Sequence, residues 1–191
     1  MAAKLLTFKR KIMLSAGVPV VLMVILGLVA IFDIRSIVQT NGWVNHTYVV
    51  LGEANNIVAS AVDMETGMRG FLLAGKEEFL EPYHGGKENL YKQLDELQHT
   101  VNDNPGQVAR LDDVREKITE WDDNVASKMI EMRRRVGRGE TMDDVAALVG
   151  EARGKKYFDA FRGLMKDFAD EEIGLMEQRK LDNQATVKKA Y

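Results

Sequence analysis

The 191-residue sequence contains no cysteine. That excludes disulfides, thiolate nucleophiles, Cys-ligated zinc and covalent haem attachment together. Proline occurs only three times, which argues against a loop-rich or all-β fold. The three histidines, His46, His84 and His99, stand far apart and read as polar surface residues before metal ligands. A glycine-rich phosphate loop, a His-x-x-x-His pair and a Gly-x-Ser-x-Gly elbow are all missing. Nothing in the chain points to an enzyme, a cofactor or a metal. With 26 basic against 29 acidic side chains, the net charge of −3 gives no general attraction to nucleic acid. Yet the apolar fraction, 46%, is that of a folded protein rather than a disordered one.

Charge is absent altogether from Ile12 to Phe32. A helix of that length crosses a hydrocarbon core of about 30 Å. The competitor is a cleaved signal peptide, for which Lys9-Arg10-Lys11 would serve as the basic region. The apolar run is longer than such peptides need, and Leu28-Val29-Ala30 is a poor cleavage site, so a retained span is expected. Pro19 and Gly17 are tolerable there. All four bases of the first 32 residues precede the run, and no acid is among them; the remainder carries 22 bases against 29 acids. Positive charge stays inside, which places residues 1–11 in the cytoplasm, a span at 12–32, and residues 33–191 outside a bacterial inner membrane, in the periplasm. No second apolar run follows.

After Asp33 the apolar pattern is helical throughout. Ile37, Val44, Leu51 and Val58 recur every seven residues, with Thr47, Ala54, Ala61 and Met68 offset by three. This first helix is expected to run unbroken from the membrane to about Leu73. A second carries Leu80, Tyr83, Leu90, Leu94, Leu97 and Val101, and Asn102–Gly106 is a turn by composition. A third holds Leu111 to Met132 and ends at Gly137-Arg138-Gly139. Thr141 with Asp144 looks like the capped start of a fourth helix, which holds Leu148 to Met176 and reaches the chain end. The expected fold is all-α: a transmembrane helix continuing into an elongated up-down-up-down four-helix bundle.

The residues that break the pattern are the informative ones. Glu65 occupies the next rung of the Ile37–Val58 ladder, and Arg69 lies four residues later on the same face. The bland reading is a surface pair; the ladder position favours a buried one that fixes register. Gly67 and Gly70 flank it inside a helix, at a cost of about 1 kcal/mol each relative to alanine, which close helix approach would explain. Asp112-Asp113, Asp122-Asp123 and Arg133-Arg134-Arg135 read first as solvated faces, although the arginines could catch an anion.

Three runs carry a resemblance: Trp43-Val44-Asn45-His46-Thr47, Asp63 to Gly75 and Phe79-Leu80-Glu81-Pro82-Tyr83. Together with Gly154-Lys155 and Phe168–Arg179 they resemble the CHASE3 family of extracytoplasmic sensor domains in bacterial receptors. Trp43, His46, Glu65, Gly67, Arg69, Gly70, Phe71, Glu81, Pro82 and Tyr83 form its structural signature here. The resemblance implies an all-helical sensor between two membrane spans, coupled to a cytoplasmic kinase, chemotaxis or cyclase module. A second span and an output module are not in these 191 residues, so the expectation is either a shortened receptor or a single-span tether that binds another envelope protein. The resemblance supplies no ligand; the stimulus, small molecule or protein, stays open. A second copy of the chain is the expected partner, because a heptad-patterned helix entering a membrane offers a parallel dimer seam.

Overall fold

The computed structural model describes residues 2–189, with side chains described for Met13 and residues 17–186. The side chains of the basic tail, 1–11, therefore lie outside the described residues. All regular structure among the described residues is helical, apart from one isolated bridge between Val136 and Glu140. Six α-helices follow in order: α1 (Ala2–Ala74), α2 (Glu81–Thr100), α3 (Pro105–Trp121), α4 (Ser127–Arg135), α5 (Met142–Gly150) and α6 (Arg153–Lys189). A 3-10 turn at Glu77–Leu80 leads into α2, and a π-helical segment at Asp122–Ala126 joins α3 to α4. The chain divides into two units, residues 1–45 with 176–191, and residues 46–175.

The ends of the helices follow from local chemistry. Gly75 closes α1 in the left-handed region, with φ +68, its N–H bonding the Phe71 carbonyl at 2.8 Å. Asn104 caps α3 by accepting from the N–H groups of Gly106 and Gln107, and Pro105 takes the first helical position. Thr141 and Asp144 form a full capping box at the start of α5. The expected single fourth helix is, however, two. Ala152, at φ +54, turns the chain between α5 and α6. Between Val149 and Tyr157 the sole apolar side chain is Ala152, with Gly150 and Gly154 on either side, so the apolar spacing lapses at the corner.

In the 46–175 unit the core is built on the second of the two α1 stripes. Thr47, Ala54, Ala61 and Met68 are buried, joined by Val50, Ile57, Met64 and Phe71. Those eight alternate at spacings of three and four, which keeps one helix face inward. Leu51 and Val58, on the ladder that the sequence suggests as the seam, are only half-buried. Around the α1 stripe pack Leu90, Leu94 and Leu97 of α2, Leu111, Val114 and Ile118 of α3, and Phe158, Phe161 and Phe168 of α6. Trp121 meets Phe158 edge-on at 5.5 Å between ring centres, and Phe158 lies 5.7 Å from Phe161.

In the other unit α1 is apolar and uncovered from Val18 to Phe32, with Leu22, Met23 and Leu26 among the exposed side chains. Here α1 is long and apolar enough to cross a membrane, and none of that window is buried within the chain. A soluble core helix would be covered there.

Candidate functional site

The Asp63–Tyr83 signature folds into the corner where α1 gives way to α2. Gly67 is where the two helices cross. A Cβ built on it would lie 2.5 Å from the Tyr83 backbone nitrogen, too close for any side chain. Gly86 makes the reciprocal contact, its missing Cβ falling 2.6 Å from the Ser60 carbonyl oxygen. Two glycines thus let α1 and α2 approach backbone to backbone. Gly70 faces the Phe79 ring instead, where a Cβ would lie 3.0 Å from the nearest ring atom, a tight contact relieved only by a small shift of that side chain. Phe71 is buried, Pro82 sits in the first turn of α2, and Glu81 is an exposed acid at its start.

Because the crossing is tight, Tyr83 reaches into the bundle. Its hydroxyl donates to the Asp122 carboxylate, which also receives Lys87 Nζ at 2.5 Å. The Asp122 side chain is 2% exposed, while that of Lys87 keeps 42% in solvent. A buried carboxylate is tolerable here because one cation and one hydroxyl satisfy it. Burial and the hydrogen bond to Asp122 push the Tyr83 hydroxyl up to about 12, and Asp122 raises Lys87 as well. Asp122 opens the π-helical segment, one turn after the buried Ile118. The sequence reading of Asp112-Asp113 and Asp122-Asp123 as solvated faces therefore holds for three of the four. Asp122 is the exception: four residues after Ile118 and three before Val125, it falls on the apolar face of its own helix.

Glu65 and Arg69 form the expected pair at 2.7 Å, but not a buried one. The Arg69 side chain is 68% exposed and that of Glu65 15%. Arg162 of α6 approaches the same carboxylate at 3.9 Å. The ladder stripe that carries Glu65 lies at the edge of the core, so its carboxylate keeps access to water. Two of the three α4 arginines, Arg133 and Arg134, are engaged as structural clasps. Arg133 Nε donates to the Leu72 carbonyl at 2.8 Å, satisfying the end of α1, and its guanidinium fills the space beside Gly75. Arg134 makes a two-pronged contact with Glu77 at 2.8 and 2.7 Å, which holds the Glu77 carboxyl below its usual range.

A second polar cluster joins three helices of the same unit. Glu172 of α6, 3% exposed, accepts from the Thr47 hydroxyl at 2.9 Å and from Gln107 Nε2 at 3.4 Å. Gln107 also donates to the Phe168 carbonyl at 3.2 Å. The sequence reading missed this cluster; Thr47, a polar residue inside an otherwise apolar stripe, is the feature that could have pointed to it. His46 is half-buried next to Thr47 on α1. In the other unit, the Arg179 guanidinium lies 3.9 Å from the Trp43 ring centre. Asn183 bonds Ser36 and Thr40, tying α6 to α1 there.

No ligating cluster emerges from these groups. Glu81-x-x-His84 and Glu96-x-x-His99 both lie on α2, whereas a bundle metal site draws such pairs from facing helices. Among the described residues no three His, Asp or Glu side chains converge as metal ligands would.

An all-helical unit stabilised by glycine crossings and buried polar ties, and continuous with an apolar helix, is the architecture of a bundle sensor. The chain belongs to the CHASE3 domain family, whose description matches residues 40–182, and is thus a sensor domain rather than a catalytic one. It is similar in fold to the sensor domain of histidine kinase HK9 from Rhodopseudomonas palustris, at 24% identity and a TM-score of 0.59, over 69% of this chain and 98% of that one. No curated protein matches the sequence.

Proposed function

We infer that the chain is the membrane-anchored, extracytoplasmic sensing region of a bacterial signal-transduction receptor, driving a cytoplasmic kinase or chemotaxis module. One observation carries the reading: the helix that supplies the first wall of the CHASE3 bundle is the same helix that supplies the uncovered apolar segment. The basic residues ahead of that segment support an orientation with the N-terminus inside.

Signal then travels as relative displacement of α1 and α6. Packed helices switch by steps of about 1–2 Å because interdigitated side chains favour discrete arrangements. The driving energy is the preference of a stimulus for one arrangement over the other. Thr47–Glu172 and the Ser36–Asn183 contacts are the polar ties such a step would rearrange.

Cysteines at Ile37 and Leu181, both exposed, test the displacement in a cysteine-free background. Their cross-linking rate in the full receptor should change when stimulus is added. An unchanged rate in a receptor that still signals would sink the sliding mechanism. Reporter fusions at residue 5 and near residue 150 test the topology, the first reading cytoplasm and the second periplasm.

A further inference from the structure

Just beyond the apolar segment, α1 and the end of α6 enclose a groove of about 470 Å³, inside the unit formed by residues 1–45 and 176–191. Phe32, Arg35, Gln39 and Trp43 line it at steps of three and four, so one face of α1 is one wall. Arg179, Asp182 and Thr186 supply the other from α6 at the same steps. Ser36 and Asn183 tie the walls together: the Ser36 hydroxyl donates to Asn183 Oδ1 at 2.5 Å, and Asn183 Nδ2 donates to the Ser36 carbonyl at 3.1 Å. Two arginines thus share one groove, and among the described residues neither pairs with an acid, Asp182 included. Most arginines of the 46–175 unit do engage a carboxylate, Arg69, Arg110, Arg115 and Arg134 among them. Arg179 lies over the Trp43 ring, which covers one face of the guanidinium and leaves its N–H edges for an acceptor.

We propose that this groove binds a glycerophosphoryl group, with Arg35 taking the phosphoryl oxygens and Arg179, held flat by Trp43, taking the glycerol hydroxyls. Height along α1 selects this ligand. Arg35 comes three residues after Phe32, the last residue of the charge-free run, which sets it about 5 Å beyond the hydrocarbon edge. Lipid head groups fill a layer of about 5–8 Å outside each edge. An exposed guanidinium at that level meets phosphoryl oxygens, and its planar fork matches their geometry as well as their charge. Trp43 follows about 12 Å farther along α1, so the Arg179 stacked on it stands where the outer, hydroxyl-bearing end of a head group lies. The same chemistry has two sources: an anionic phospholipid such as phosphatidylglycerol, or free glycerol phosphate. The lipid source rests on the membrane-receptor reading; the phosphoryl site itself rests on the groove and its two unpaired arginines.

The test titrates the full chain, purified in a neutral detergent, with dioctanoyl phosphatidylglycerol, with glycerol phosphate, and with phosphate-free dioctanoylglycerol. Trp43 is the reporter, since the other tryptophan, Trp121, is buried in the core. Phosphatidylglycerol should give a saturable fluorescence change that Trp43→Phe removes and dioctanoylglycerol does not produce. Arg35→Gln and Arg179→Gln should each weaken binding about tenfold, the worth of one charge-assisted hydrogen bond. Circular dichroism of each variant confirms that it is folded. Saturation by phosphatidylglycerol alone assigns the site to lipid; saturation by glycerol phosphate as well assigns it to a soluble phosphorylated ligand. No saturable change with either, an equal change with dioctanoylglycerol, or affinity untouched in both arginine variants overturns the site. Fractionation of the cells reads the anchor separately: a soluble chain that still binds glycerol phosphate keeps the site and discards the membrane reading.

Discussion

At the scale of single residues, the two glycines of the signature have unequal duties, and the difference is measurable. Gly67→Ala forces a methyl group against the Tyr83 backbone, which cannot swing aside. We expect a net loss of about 1–3 kcal/mol in denaturant unfolding, despite the gain of about 1 kcal/mol in helix propensity. Gly70→Ala meets only the partly exposed Phe79 ring and should be close to neutral; Gly70→Leu, which fills the ring's place, should not. If Gly67→Ala proves the milder change, the close crossing is wrong. The Glu65–Arg69 pair tells the opposite story. With Arg69 largely in solvent, a double-mutant cycle should return a coupling of about 0.3–0.5 kcal/mol, the range of exposed i,i+4 pairs. A coupling of about 3 kcal/mol or more would restore the buried pair that the ladder position suggested.

At the scale of elements, the corner between α5 and α6 is held in a left-handed conformation by an alanine. Ala152 has φ +54, a region where a Cβ costs about 1–2 kcal/mol and glycine is free of that strain. Ala152→Gly should therefore raise stability by up to about 1 kcal/mol, less the extra entropy glycine gains in the unfolded chain. Thermal melts that show a clear loss would mean that the corner is set by something other than this dihedral. Gly150 and Gly154 flank the corner in the sequence, but glycine also sits in mid-helix at Gly67 and Gly70, so these two do not by themselves name a break. By contrast, Gly75, Asn104-Pro105 and Thr141–Asp144 each announce a terminus, since their backbone or side-chain chemistry serves a helix end directly.

At the scale of the whole molecule, the Tyr83–Asp122–Lys87 cluster should be visible as an alkaline instability. Folding raises Tyr83 from its ordinary 10.0 to about 12, through burial first and Asp122 second, while Ser127 opposes the shift. A raised value stabilises the fold fully below pH 10 and is lost as pH climbs to about 12. Lys87, raised by Asp122, acts in the same sense. Global stability should therefore fall as pH rises from about 10 to about 12. Tyr83→Phe should shrink that fall without abolishing it, because Lys87 remains. An alkaline limb identical in the two proteins would remove Tyr83 from the account.

The sequence by itself determined the helices, the apolar segment and the family, because spacing, charge-free length and helix-end chemistry are local and leave local marks. It also exposed Gly67 as a close approach, since glycine in mid-helix is costly unless something else needs its space. Only the tertiary structure decided which of two apolar stripes on α1 faces inward. Both stripes repeat every seven residues, and the one with the larger apolar side chains, Ile37 to Val58, is not the one buried, because burial is settled by what α2, α3 and α6 offer in return. It likewise decided that Tyr83 and Lys87 are the groups that satisfy the buried Asp122, and that Arg133 holds the end of α1 while Arg134 holds the turn at Glu77–Leu80. The reason is the same in each case: a charged side chain is placed by partners far away in the chain, and no periodicity along its own helix names them.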